Sequence, residues 1–369
     1  MKIPYVNLKL QYFNEKKQLL KIIDKTLSSG NYVTNQDEVK KFENKISSIC
    51  RTKYCIALNS GTDALTLALH AVGVRRGDEV ITTPNSFIAS TAVIIHLGAV
   101  PVFVDVKSDQ NINEDLIEKK ITKKTKAIMP VHLTGRMCNM EKIMKISKKH
   151  KIPVIEDSAQ SIMSKYNGRM SGSYGDIGCF SAHPLKNLNA LGDSGYLVTD
   201  NKKIYDKIFD LRNHGMTNRN LIKNFGYVSR MDNLQAAILN FRIKKLNKVI
   251  SQRRKNVKLY VKYLNNKNIY IPKEKKEEFN TYHTFVIQVK NRDKLRIYLK
   301  NRGIMTSIHY PIPIHKQPAY KKMINRILKY KNTEEQSKKI LTLPIHQYLK
   351  KKEIIFISKN INKFYEETK

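Results

Sequence analysis

Apolar residues recur along this chain with two periods. Short apolar runs at Tyr54–Leu58, Glu79–Thr82, 152–157 and 176–181 predict strands, and the run ending in the acidic pair Glu156-Asp157 suits the middle of a parallel sheet. Stretches with helical spacing separate them. Residues 62–71 put Leu65, Leu67, Ala68 and Leu69 on one buried side, and Lys202–Leu211 is a further helix. Strand and helix alternate up to about Thr199, which predicts an α/β domain with helices on a mostly parallel sheet. After a polar stretch holding Arg212, His214 and Asn218, a long helical pattern runs from 232 to about 249. Beyond it, 257–264 continues helical, 282–289 is a strand, 293–302 a helix and 304–309 a strand, the order of a small α+β domain. The division falls near 246, giving a large domain over 1–245 and a small one over 246–369 with no linker or repeat between them.

Composition changes this picture little. A chain of 369 residues with 41% hydrophobic content can bury a sizeable core shared by two domains. The net charge of +37 raises the possibility of a basic, non-enzymatic nucleic-acid-binding protein. The lysines are spread along the chain, however, and runs such as Lys350-Lys351-Lys352 lack the interleaved aromatics of a base-stacking platform. Abundant Lys, Asn and Ile with no Trp resembles the usage of an AT-rich genome, and neither nucleic acid nor membrane is expected as a partner. Cys50, Cys55, Cys138 and Cys179 lack metal-ligand spacing, so reduced structural thiols and no metal are expected. The N-terminus lacks an apolar signal core and no stretch approaches ~20 apolar residues, which predicts a cytoplasmic protein.

Candidate chemistry centres on Lys186, in Phe180-Ser181-Ala182-His183-Pro184-Leu185-Lys186. A lysine on a constrained bend among apolar and turn residues is desolvated, which lowers its pKa and frees the amine as a Schiff-base nucleophile. Taken alone, a lysine in a chain with 68 Lys and Arg residues is more often a solvated surface group. Asp157, at the carboxyl end of its strand, faces the ligand crevice of an open α/β sheet and can pair with a protonated ring nitrogen, or it caps a helix. Gln160 can cover or hydrogen-bond the same ring. The turn Asn59-Ser60-Gly61-Thr62 opens a helix whose free N–H groups form a phosphate cradle, or simply a capped helix. Phe87, just past the strand Glu79–Thr82, stacks on a flat ring or packs in the core. Cradle, aromatic, acid and lysine occur in chain order on successive strand ends, and together they describe one ligand, pyridoxal 5'-phosphate.

These residues lie in a longer series of matches: Ser60-Gly-Thr-Asp-Ala-Leu65, Gly77-Asp-Glu-Val-Ile81, Val131-His-Leu-Thr-Gly135, Glu156-Asp-Ser-Ala-Gln160, the Lys186 loop and His309-Tyr-Pro-Ile-Pro-Ile-His-Lys-Gln-Pro318. Over nearly its whole length the chain resembles the sugar aminotransferases of the DegT/DnrJ/EryC1/StrS family, which have the aspartate-aminotransferase-like (type I) fold. The resemblance implies that Lys186 carries the cofactor and moves the proton. It further implies that Asp157 salt-bridges the pyridine nitrogen, Gln160 lies near the phenolic oxygen, Phe87 stacks, and Gly61, Thr62 and Ser181 hold the phosphate. It implies a nucleotide-linked keto-sugar as acceptor, L-glutamate as donor, ping-pong kinetics and a homodimer with composite sites. The run from His309 to Gln317 looks more like members that aminate C3 than C4.

His309, Tyr310 and His315 on that run, His183 beside the lysine, and Asn31 and Tyr32 in the N-terminal loop are the candidate contacts to sugar or donor. The nearest enzymatic alternative is a dehydratase relative that keeps the pyridoxamine form of the cofactor; those members carry histidine in place of the lysine, so Lys186 argues for transfer. Three positions depart from the family pattern. Val228 stands where many members have an asparagine that reaches the phosphate of the neighbouring subunit, with Ser229 as a possible substitute. Ala182 replaces a larger residue and Ser194 a glycine, changes expected to bear on pocket shape.

Overall fold

The apolar runs pair as a seven-stranded sheet in the computed structural model, which describes residues 2–34, 36–324 and 327–367. Its strands are β1 (Tyr54–Leu58), β2 (Glu79–Thr82), β3 (Val100–Phe103), β4 (Thr125–Ile128), β5 (Ile155–Asp157), β6 (Ile177–Ser181) and β7 (Gly195–Thr199). Hydrogen-bonded ladders order them β1-β7-β6-β5 and β4-β2-β3. Parallel bridges from Ile128 to Val154 and from Val131 to Asp157 join the two sets. All strands run parallel except β7, which is antiparallel to β1 and β6.

Period-two alternation explains how one sheet serves two cores. Ile56 and Leu58 of β1 face a cluster with Leu65, Leu67, Ala68 and Leu69 of helix α3 (Gly61–Ala71). Cys55 and Ala57 face the opposite cluster, where Phe42 and Ile46 of helix α2 (Asp37–Cys50) pack. All four cysteines are buried free thiols.

A C-terminal sheet pairs β8 (Ile269–Tyr270), β9 (Phe285–Val289) and β10 (Ile340–Leu343). Its core holds Ile287, Leu295, Leu341, Ile354 and Ile357, and also Ile3 from the other end of the chain. One 31-residue helix, Asn233–Tyr263, links the two regions: Leu239 and Leu246 pack in the large core, Val257 and Tyr260 in the small one.

Several expected boundaries move. The helix expected to close near 249 continues unbroken because no Gly or Pro interrupts residues 233–263. The strand expected over 152–157 starts only at Ile155; Pro153 has no N–H to give to the ladder, although its carbonyl accepts from Ile128. The strand expected over 304–309 is replaced by two isolated bridges, Ile304 to Ile3 and Ser307 to Thr342, so the segment never follows one partner. The strand expected from 282 starts at Phe285, because Arg253 takes the carbonyls of Tyr282 and His283.

Candidate active site

The carboxyl ends of β1, β2, β5 and β6 converge on a cavity of about 390 Å³. At the end of β1, Ser60 caps α3 by accepting from the Asp63 N–H at 3.0 Å, leaving the helix start at Gly61 and Thr62 on the cavity wall. Gly195 lies in the sheet between Leu58 and Ser181. A Cβ there would lie 2.2 Å from the Ser60 carbonyl carbon, and one on Gly61 would lie 2.7 Å from Ser181 Cβ. The two glycines therefore let β6 close onto the helix start, bringing the Ser181 side chain beside its free N–H groups.

Asp157 ends β5 and is 5% exposed. Its carboxylate accepts from Ser90 Oγ at 2.7 Å and from the Ala159 N–H at 3.2 Å, which fixes the acid in the cavity. Behind it, buried Glu156 accepts from the N–H groups of Gly172, Tyr174 and Gly175 and lies 2.8 Å from His132 Nε2, tying the strand end to the following turn. Gln160 Oε1 accepts from the Thr134 N–H at 2.8 Å, so its NH₂ is the end left to donate.

Lys186 is on a tied loop. Its N–H donates to the His183 carbonyl at 2.8 Å, Ala190 N–H donates to Ala182, and Asn189 Nδ2 donates to Pro184. Its side chain lines the cavity, and burial lowers its pKa from 10.5 to about 8 despite the opposing pull of Asp157. Phe87 is 56% exposed with its ring 6.1 Å from that of Tyr310, a wall position and not a core one. The segment carrying Tyr310 docks on this wall through the Ile314 N–H, which donates to Pro84. Burial and the neighbouring Asp157 push the Tyr310 hydroxyl up, and burial with Lys186 holds His309 neutral, its pKa lowered to about 4.

Ten expected site residues thus share one cavity: Lys186, Asp157, Gly61, Thr62, Phe87, Gln160, Ser181, His183, His309 and Tyr310. His315 is outside it, buried against Glu334 with Nε2 3.1 Å from the carboxylate and its ring beside Tyr330. Asn31 and Tyr32 are exposed and line no part of this chain's cavity. The hydroxyl of Ser229, the possible substitute at the neighbouring subunit's phosphate, donates to Asp63 at 2.7 Å, while Val228 is 58% exposed. Ala182 and Ser194 are buried behind the cavity, so the expected effect on pocket shape is not seen at its lining. Three polar lining residues escape the sequence reading, Ser90, Asp193 and His283. Ser90's signal was its place after Phe87 at a strand exit; His283 was hidden inside a run read as strand.

Fold and site together define a pyridoxal-phosphate enzyme of the aspartate-aminotransferase architecture. The chain belongs to the DegT/DnrJ/EryC1/StrS aminotransferase family, whose model matches residues 14–362. It is 37% identical over 369 residues to a pleiotropic regulatory protein of Geobacillus stearothermophilus, covering 99% of each chain. It is 38% identical to the dTDP-3-amino-3,6-dideoxy-alpha-D-galactopyranose transaminase of Aneurinibacillus thermoaerophilus, over 98% of this chain and 99% of that one. Among solved structures, S. venezuelae DesV in complex with a ketimine intermediate superposes with a TM-score of 0.96 at 32% identity, covering 99% of both chains.

The residues present fit the cofactor: a helix start closed by two glycines for its phosphate, a fixed carboxylate, and a desolvated amine. The lowered lysine pKa has a direct readout. Recombination of apoenzyme with pyridoxal phosphate should accelerate as pH rises and level off above a midpoint near 8, because only the free amine attacks. The shift of 10.5 − 8 = 2.5 units makes the free amine about 300-fold more abundant at neutral pH than an ordinary lysine would supply. A midpoint near 10.5 would contradict the burial of Lys186.

Proposed function

We propose that this protein transfers the amino group of L-glutamate to a nucleoside-diphosphate-linked keto-sugar, favouring a 3-keto over a 4-keto acceptor. The observation that carries the reading is the placement of Lys186 in one cavity with Asp157 and the helix start at Gly61. The bound cofactor would supply an electron sink for the carbanion formed at the donor's α-carbon. Lys186 would anchor that group and, once its amine is free, would be the base and acid that carries the proton of the donor's α-carbon. Asp157, held by Ser90 and Ala159, keeps the ring nitrogen protonated, and Gln160 donates its NH₂ toward the phenolic oxygen. Phe87 covers the ring, and Gly61, Thr62 and Ser181 hold the phosphate.

Support for a 3-keto acceptor comes from the Aneurinibacillus relative, whose name places its amine at C3. His309, Tyr310 and His183 are the wall residues placed to meet sugar or donor. A homodimer is inferred from apolar surface on the first helix, Leu8–Ser28, where Tyr12, Phe13, Leu20 and Leu27 are exposed, and from Phe225 at 99% exposure. A second copy covering that surface is where Asn31 and Tyr32 would act, since they do not line the Lys186 cavity of their own chain.

The test is a panel of 3-keto and 4-keto nucleotide sugars incubated with glutamate, followed by locating the new amine. Turnover of the 3-keto member at least ~10-fold faster in kcat/KM is expected, a difference of about 1.4 kcal/mol in transition-state binding. Preference for the 4-keto member would overturn the regiochemistry, and loss of a hydroxyl without gain of nitrogen would favour the dehydratase reading.

A further inference from the structure

The connection from β3 to β4 sends a loop tip behind the reaction cavity. Val106 bridges to Ile112, the Lys107 N–H donates to Asn111 and the Gln110 N–H to Lys107, so residues 107–111 close as a short hairpin in which the Gln110 and Asn111 side chains are both buried. The Asn111 amide spans a turn that borders the cavity. Its Oδ1 accepts from the Leu133 N–H at 3.1 Å and its Nδ2 donates to the Arg136 carbonyl at 3.1 Å, one bond at each end of the turn 133–136. Between those ends lies Thr134, whose φ of 66° is a strained conformation for a β-branched residue and persists only where its surroundings hold it. The Thr134 N–H in turn donates to Gln160 Oε1 at 2.8 Å. A backbone N–H can only donate, so this bond decides which end of the Gln160 amide is left to serve the cavity, and that end is the NH₂. Gln110 makes a second link one residue earlier. Its φ of 75° lies where glycine costs least, yet a glutamine stands there, and its Nε2 donates to the His309 carbonyl at 3.3 Å.

We propose that the tip Gln110-Asn111 is a positioning element for the reaction: Asn111, by clamping the turn that carries Thr134, sets the Gln160 amide that donates to the cofactor's phenolic oxygen, and Gln110 sets the His309-Tyr310 wall that meets the sugar acceptor. Neither residue lines the reaction cavity, so each acts through another group. The turn does not owe its existence to Asn111. The Leu133 N–H also meets the Val131 carbonyl at 3.0 Å, and the Gly135 carbonyl takes the Ser164 hydroxyl at 2.8 Å and the Thr281 N–H at 3.0 Å. Losing the Asn111 amide therefore loosens the turn without unmaking it, and Thr134 loses the hold that keeps its N–H on Gln160. A Gln160 amide freed in this way can turn over and present its oxygen, which repels the phenolic oxygen where the NH₂ stabilised it.

This inference rests on Gln160 serving the phenolic oxygen and on His309 and Tyr310 meeting the acceptor, and it is tested on holoenzyme carrying Asn111→Ala, Gln160→Ala, the two together, or Gln110→Ala. The first readout is the pH at which the absorption of the bound cofactor switches between its protonated and unprotonated forms. The phenolic oxygen bears most charge in the unprotonated form, so a donor there favours that form and holds the switch pH down. Gln160→Ala should raise it by about one unit, the size of one hydrogen bond to a charged oxygen, and Asn111→Ala by at least half of that. The double variant should rise no further than Gln160→Ala alone, because Asn111 acts only through that amide. Gln110→Ala should raise the KM of the keto-sugar acceptor about fivefold, the size of one neutral hydrogen bond, with the switch pH within about 0.2 units of the parent. Additive shifts in the double variant, an unmoved switch pH in Asn111→Ala, or a shift in Gln110→Ala as large as that in Asn111→Ala would overturn the proposal. An unmoved switch pH in Gln160→Ala would remove Gln160 from its assigned role and the proposal with it, while leaving Lys186 and Asp157 in theirs. Asn111→Ser carries the same comparison if the alanine variant does not fold.

Discussion

Lys186→Ala should abolish amino transfer, with kcat reduced by roughly 10⁴-fold or more. Two separate losses combine in that figure. A positioned acid–base group is worth about 10²–10⁴ in rate, and the donor also loses the covalent route by which it displaces the lysine. The cradle at Gly61 and Thr62 is untouched, so the variant should still bind pyridoxal phosphate, now released on denaturation and not trapped by borohydride. Peptide mapping after reduction of the parent should find the label on Lys186 alone. Residual transfer above about a hundredth of the parent would mean that another of the many basic side chains serves, and His183, His283 and His309 are the basic side chains that share the cavity with Lys186.

Asp157→Asn should retain cofactor and lose about 10³ in turnover. A protonated ring nitrogen withdraws the carbanion's electrons, and a proton is kept there only if an anion faces it. Each unit by which the ring pKa falls is about 1.4 kcal/mol between protonation states, so two to three units of lost tuning give a loss of this size. The substitution is nearly isosteric: the asparagine oxygen can keep the Ala159 N–H, and its NH₂ can donate to Ser90 Oγ where the second carboxylate oxygen accepted, so the defect should be in kcat with little change in thermal stability. Near-normal turnover of the variant, with cofactor bound, would remove Asp157 from its assigned role.

Both residues were legible in the sequence because strand ends in an open α/β sheet converge on one crevice. Once β1, β2, β5 and β6 are read from their apolar runs, the residues just past each are placed by topology alone. What the sequence hid was whatever depends on tertiary partners. His315 looked like a neighbour of His309 and Tyr310, but the chain turns between them and His315 finds Glu334, a contact with no local signal. The run beginning at 282 reads as strand by its pattern, yet Arg253, some thirty residues earlier, holds its first two carbonyls and delays the strand to Phe285. His283 escaped for the same reason. The bond from the Ser229 hydroxyl to Asp63 is likewise set by how the chain after 226 meets the start of α3 and has no local signal.

The most direct test of the central claim follows one nitrogen through the two halves of the reaction. Holoenzyme is treated with one equivalent of ¹⁵N-glutamate, freed of small molecules, and then given a nucleotide-linked 3-keto-sugar. Transfer through Lys186 and its cofactor predicts one equivalent of 2-oxoglutarate in the first step and ¹⁵N on the sugar carbon in the second, with no glutamate present. Nitrogen that reaches the sugar only when both substrates are present together, or a second step that releases water and leaves the sugar without nitrogen, would contradict it.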